Sequence, residues 1–173
     1  LREIYGEYRA PTGVGKTSKI DKKSHKKINE RINKISLKLK RRVKLLIGKP
    51  GLDGHSSGAE QISVAARDVG MEVVYQGIRL TPEQIVNTAI EESVHMIALS
   101  ILSGSHLSLT EETAKLLKKN KISNIPLVVG GIIPEEDEKK MLKLGVSRIY
   151  TPKNYDVNSI MSDFANILEK HYL

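Results

Sequence analysis

Val43-Lys44-Leu45-Leu46-Ile47-Gly48-Lys49-Pro50-Gly51-Leu52-Asp53-Gly54-His55-Ser56-Ser57-Gly58 is the stretch that decides the fold. Val43 to Ile47 is a short aliphatic run closed by glycine, the pattern of a strand buried on both faces of a parallel sheet. A helical pattern follows from about Ser57 to Val69, with Gly70 at its C-terminal end. Working outward, the same alternation continues. Further apolar runs at Glu72–Tyr75, Met96–Ser100, Pro126–Val129 and Val146–Tyr150 are separated or followed by helical patterns. These span about Thr81–Ser93, Leu109–Asn120, Pro134–Leu144 and Asn158–Leu173. Thr81-Pro82-Glu83 reads as an N-cap before a first-turn proline, Thr110 precedes Glu111 and Glu112, and Pro134 leads Glu135, Glu136 and Asp137. Gly145 closes the fourth of these helices as Gly70 closes the first.

Strands strictly alternating with helices over about 130 residues imply an α/β, doubly wound parallel sheet. Five strands fit a flavodoxin-like (Rossmann-like) order of 2-1-3-4-5 better than a longer dinucleotide-binding sheet. This domain is expected over residues 42–173. Residues 1–41 read differently, as a basic linker or tether. Lys16 to Lys27 is Lys-, Ser- and His-rich, and Ile28, Ile32, Ile35 and Leu39 then recur at steps of four, three and four. That spacing predicts a short amphipathic helix from about Lys26 to Lys40, docked on a neighbouring domain.

The 173 residues suffice for one domain with a core of its own. Zero Cys excludes disulfides, Cys-ligated zinc, iron–sulfur clusters and thiol catalysis, and agrees with a cytoplasmic setting. No apolar run approaches the roughly 20 residues of a membrane span. The net charge of +8 is unevenly distributed: residues 1–42 hold 14 Lys and Arg against 4 Asp and Glu, and the remaining residues 14 against 16. Basicity therefore characterises the tether and not the domain. Without a groove-entering motif, and with only 4% aromatic residues, it does not mark a nucleic-acid binder. Ala10-Pro11-Thr12-Gly13-Val14-Gly15-Lys16-Thr17 mimics a phosphate loop but lacks the buried strand before it and the apolar helix after it.

Ligands of such sheets bind beyond the carboxyl ends of the strands, near the reversal of strand order. The first strand exit carries four glycines among the eleven residues Gly48 to Gly58, so its backbone is unusually free. Asp53 and His55 flank Gly54; in an extended loop Asp53 would bond one imidazole nitrogen and leave the other as a base or metal ligand. The third exit, Ser100-Ile101-Leu102-Ser103-Gly104-Ser105-His106, offers hydroxyls in a narrow slot, and the fourth offers Gly130-Gly131. His106 lies at this rim, within reach of a cofactor or partner, and is a weaker candidate than His55. His95 reads as packed at a strand start, and His25 and His171 as solvated.

Asp53-x-His55-x-x-Gly58, Ser100-x-Leu102 and Gly130-Gly131, at these spacings, resemble the signature of the cobalamin-binding domain that takes its cofactor base-off and His-on. The resemblance covers about Val43 to Leu173. It implies that His55 is the lower cobalt ligand, that Asp53 orients it and that Lys49 continues a hydrogen-bonded relay. It also implies a cofactor pocket that includes Gly54, Ser56, Gly58, Ser100, Leu102, Gly130, Gly131, Tyr150 and Thr151. There Ser100 would bond the displaced benzimidazole, and the glycines would leave it room. Gly48-Lys49, Val129 to Pro134 and Tyr150-Thr151-Pro152-Lys153 are similar to the C-terminal domain of the ethylmalonyl-CoA and methylmalonyl-CoA mutases. Glu7 to Val14 is similar to the stretch after their catalytic barrel. The resemblance implies adenosylcobalamin, an isomerase inactive without an acyl-CoA-binding barrel as partner domain or subunit, and no nucleic-acid or membrane partner. A corrinoid carrier for methyl transfer is the alternative. Its usual four-helix cap cannot be built from the 42 mostly polar residues before the sheet.

Overall fold

The structure, a computed structural model, describes residues 22–173. The phosphate-loop-like stretch and Glu7 to Val14 lie outside the described residues. Helix α1 (Lys22–Leu39) leads into β1 (Lys44–Gly48), α2 (Ser57–Asp68), β2 (Glu72–Tyr75), α3 (Pro82–Glu91), β3 (Met96–Ile101) and α4 (His106–Lys119). β4 (Leu127–Gly131), α5 (Glu135–Lys143), β5 (Val146–Tyr150), a 3-10 turn at Pro152–Asn154 and α6 (Val157–Tyr172) complete the chain. The strands form one parallel sheet in the expected order β2-β1-β3-β4-β5. No helix among the described residues is long and apolar enough to cross a membrane.

Side-chain alternation sends each strand into two cores. Leu45, Ile47, Met96, Ala98 and Val128 face α1, α2 and α6, whereas Leu46, Ile97, Leu99, Ile101 and Val129 face α3, α4 and α5. Thr81 and Gln84 make a reciprocal capping box at α3, with Pro82 in its first turn. Gly70 (φ +95°) and Gly145 (φ +97°) close helices in the left-handed conformation that glycine adopts without a Cβ clash.

One expectation is made specific and one is corrected. The domain on which α1 docks is this chain's own: Ile28, Ile32 and Ile35 are buried in the same core as α6, and Arg31 grips Glu169 there with bonds of 2.9 and 2.6 Å. An apolar stripe of the predicted period needs cover, and this chain's own C-terminal helix supplies it. α4 starts at His106, three residues before the predicted start, so Thr110 is no N-cap. Thr110 and Thr113 are wholly buried inside the helix, and Thr113 Oγ1 donates back to the Leu109 carbonyl at 2.7 Å. The acidic pair after Thr110 imitates a first turn, but the helix begins about one turn earlier at His106, whose Nε2 lies 2.9 Å from Asp137 Oδ2. That contact ties the start of α4 to the start of α5 and leaves His106 buried.

Candidate functional site

β1 ends at Gly48, and the next residue turns inward: Lys49 is only 1% exposed. The loop is then pinned to the β2–α3 connection, where Gly51 N–H donates to the Leu80 carbonyl at 2.9 Å and Leu80 N–H to the Lys49 carbonyl at 3.0 Å. Gly51 turns with φ +88°. Asp53 folds back into the domain while His55 stands out, its imidazole 81% exposed against 8% for the Asp53 side chain. Asp53 Oδ1 accepts from the His55 backbone N–H at 3.0 Å and lies 2.7 Å from His55 Nδ1, and Oδ2 lies 3.3 Å from Lys49 Nζ. Lys49 also donates to the Ser100 carbonyl at 3.2 Å and to Ser100 Oγ at 3.4 Å.

The electrostatics fix the roles. Burial would raise the Asp53 pKa, but the amide and imidazole of His55 and the Lys49 ammonium outweigh it and hold the carboxyl well below the usual carboxylate range. An ionised Asp53 beside Nδ1 places the ring proton on that nitrogen. In the neutral ring the lone pair then falls on Nε2, on the exposed side of the imidazole. Among the described residues no three His, Cys, Asp or Glu side chains converge as a metal centre.

Beside this relay a cleft of about 480 Å³ opens between the sheet and helices α2 and α6. It is lined by Gly58, Ser100, Leu102, Gly130, Gly131, Tyr150 and Thr151, all expected from sequence. Gly54 and Ser56 are not among its lining residues; they connect the His55 loop to α2. The cleft exists because side chains shrink along the strands toward their carboxyl ends: Met96, Ala98, Ser100 on β3 and Val128, Gly130 on β4. The two glycines act differently. A Cβ on Gly130 would touch nothing closer than 3.9 Å, whereas on Gly131 it would sit 1.8 Å from the Ile101 carbonyl oxygen. Gly130 therefore leaves space in the cleft, and Gly131 is demanded by strand pairing.

Residues 43–153 match the B12 binding domain family. The chain belongs to that family. It is 45% identical over 170 residues to the ethylmalonyl-CoA mutase of Cereibacter sphaeroides, covering 98% of this chain and 26% of the relative. It is also 39% identical over 123 residues to the 2-hydroxyisobutanoyl-CoA mutase small subunit of Aquincola tertiaricarbonis, covering 69% of this chain and 90% of that subunit. The chain thus spans about a quarter of the length of the full mutase and nearly all of the small subunit. A cobalamin-binding protein from Desulfitobacterium hafniense shares the fold at a TM-score of 0.61, with 19% identity over 84% of this chain and 70% of the other.

The residues of this B12-binding domain fit the group that its family implies. One exposed imidazole, oriented by a buried carboxylate, suits a metal whose other positions are already filled. The cleft has the size and apolar lining of a small-molecule pocket. A Cβ on Gly58 would meet no protein atom within 4 Å. Among the described residues the buried Tyr150 Oη has no hydrogen-bond partner, and burial first, then the Asp163 charge, push its pKa up, so it remains a phenol able to donate. Sequence reading missed the apolar wall formed by Ile62 of α2 with Ile160 and Phe164 of α6, and it missed Tyr155, whose hydroxyl donates to Gln61 Oε1 at 2.7 Å. Ile160 and Phe164 lie four apart on a helix and carry no signal beyond that of core residues.

Proposed function

We propose that this domain binds cobalamin base-off and His-on, as the cofactor module of an adenosylcobalamin-dependent acyl-CoA mutase. The observation that carries the reading is the exposed His55 imidazole, held at Nδ1 by buried Asp53 beside an apolar cleft. His55 Nε2 would bind the cobalt, with Asp53, itself held by Lys49, fixing the orientation of the ring through Nδ1. The cleft would receive the displaced nucleotide tail. Ser100 and Tyr150 offer hydrogen bonds there, Thr151 and Leu102 line the mouth, and Gly58 and Gly130 leave width for a fused ring. When bound, adenosylcobalamin supplies a Co–C bond whose homolysis begins a radical carbon-skeleton rearrangement.

The substrate is read elsewhere. The similarity to part of an ethylmalonyl-CoA mutase and to most of a mutase small subunit supports an acyl-CoA-binding barrel as partner, in cis or in trans. Isomerase activity accordingly requires that partner, in a cytoplasmic setting consistent with the absence of Cys. The test is the electron paramagnetic resonance spectrum of the chain loaded with cob(II)alamin, prepared with 14N- and with 15N-histidine. Three-line nitrogen splitting should become two-line with 15N-histidine and vanish in His55→Ala. Splitting that ignores the histidine label, or no binding at all, overturns the reading.

A further inference from the structure

We propose that Ser100 is a positioning residue for His55: it holds Lys49 back from Asp53 and so sets how much of the carboxylate is left to the imidazole. The proposal deepens the function proposed above and rests on that reading of His55 and the cleft.

Lys49 is fully buried and brings three ammonium protons to three acceptors. Two of the three belong to Ser100, its carbonyl at 3.2 Å and its Oγ at 3.4 Å; the third is Asp53 Oδ2 at 3.3 Å. An ammonium and a carboxylate free to close on one another settle at about 2.7–2.9 Å. The Lys49–Asp53 contact is longer than that, while the contact of Asp53 with His55 Nδ1 is 2.7 Å. The ammonium is thus held between Ser100 and Asp53, and the carboxylate spends its stronger bond on histidine.

Ser100 also belongs to the cleft. β3 sets it opposite Gly130 and makes it part of the cleft wall. Accepting from Lys49 leaves the Ser100 hydroxyl its own proton to donate. An acceptor in the cleft that takes this proton polarises Oγ and makes it a better acceptor for Lys49, since hydrogen bonds in series strengthen one another. Lys49 then moves away from Asp53, more carboxylate is left for Nδ1–H, and Nε2 becomes the richer donor. Filling the cleft would in this way strengthen His55 as a ligand through a chain of four side chains.

The first arm of the test needs no corrin. In 15N-histidine-labelled apo chain at one fixed neutral pH, Ser100→Ala should move the His55 Nδ1 resonance part of the way toward its position in Asp53→Asn. Ser100→Thr, which keeps the hydroxyl, should leave it at the wild-type position, and Ser100→Ala should have no effect in a Lys49→Met background. An unmoved resonance, or an equal movement without Lys49, overturns the proposal. The second arm uses hydroxocobalamin and diaquacobinamide, which lacks the nucleotide tail. Ser100→Ala should weaken cobinamide binding about 3–10-fold, on the low side of the loss caused by removing a ligand's outer hydrogen-bond partner. Weakened hydroxocobalamin with unchanged cobinamide would make Ser100 a tail contact alone and sink the idea. Wild-type chain without histidine ligation would instead remove the function proposed above, and the nitrogen shifts would still decide whether Ser100 acts on His55.

Discussion

His95 should make the domain acid-sensitive at a pH well above that of its carboxylates. The residue precedes β3 and is 2% exposed. Its Nδ1 accepts the Lys44 backbone N–H at 2.9 Å, so the neutral ring carries its proton on Nε2, which is buried without a partner. Tyr172 meets the ring edge-on with centroids 5.7 Å apart, and its hydroxyl donates to the His95 carbonyl at 2.9 Å. A second proton would have to sit on Nδ1, facing the Lys44 amide hydrogen. Burial above all, then the Arg41 and Lys44 charges, push the pKa from 6.5 down to about 4. The unfolded chain therefore takes up a proton that the folded chain refuses. Stability is complete above about pH 6.5, falls as the pH drops toward 4, and flattens below it. At about 1.4 kcal/mol per pKa unit, going from pH 7 to pH 4.5 costs about 2 kcal/mol from this one ring. The assay is urea unfolding followed by circular dichroism from pH 7.5 to 4.5, for wild type and His95→Asn. Asn can still accept from Lys44 but does not titrate, and it gives up the ring contact with Tyr172. The variant should be less stable at pH 7, and its deficit should shrink by about 2 kcal/mol by pH 4.5. A deficit that stays constant across the range would refute the reasoning.

Three further outcomes are expected. Asp53→Asn should weaken cobalamin binding by about 10–100-fold in a calorimetric titration while leaving the fold intact, and an unchanged affinity would deny Asp53 its orienting role. Gly131→Ala should be poorly folded because its Cβ meets the Ile101 carbonyl at 1.8 Å, whereas Gly130→Ala should keep near wild-type urea stability and lose cobalamin affinity. Two variants that behave alike would show that both glycines serve the same purpose. Ile32→Ala, at a wholly buried position of α1, should cost about 2–4 kcal/mol in urea unfolding; no change would mean that α1 contributes nothing to the domain's core.

The central strands β1, β3 and β4 were legible because burial on both faces leaves little choice of residue, and the edge strands β2 and β5 because β-branched and aromatic residues recur in them between turn residues. Each lies within a residue or two of its expected place. Asp53 and His55 were legible because a two-residue step lets the carboxylate reach back to the imidazole, and Asp53 Oδ1 contacts both the His55 backbone N–H at 3.0 Å and Nδ1 at 2.7 Å. What was not legible depends on partners distant in sequence. Nothing local says that Ile28, Ile32 and Ile35 will meet α6, more than 120 residues on, instead of another domain. Nothing near Thr110 reveals that the helix starts a turn earlier or that His106 reaches Asp137. The burial of Lys49 was equally hidden, since a lysine after a strand ordinarily points to water, and only Asp53 and Ser100 together make its burial tolerable.

That burial joins the two halves of the site into one. Pairing sets Gly48 of β1 beside Leu99 of β3, so the residues that follow, Lys49 and Ser100, emerge side by side at the carboxyl edge. On the other flank Ser100 faces Gly130, and Gly130 faces Tyr150. The histidine relay and the cleft are consecutive positions along one edge of a parallel sheet, with Ser100 the residue common to both. A slip of one residue between β1 and β3 would turn Ser100 to the opposite face, removing it from the cleft wall and depriving Lys49 of its Oγ acceptor at once. The register of the sheet, more than any single side chain, is what makes a histidine on a mobile-looking glycine loop and an apolar cleft beneath the sheet edge parts of the same binding site.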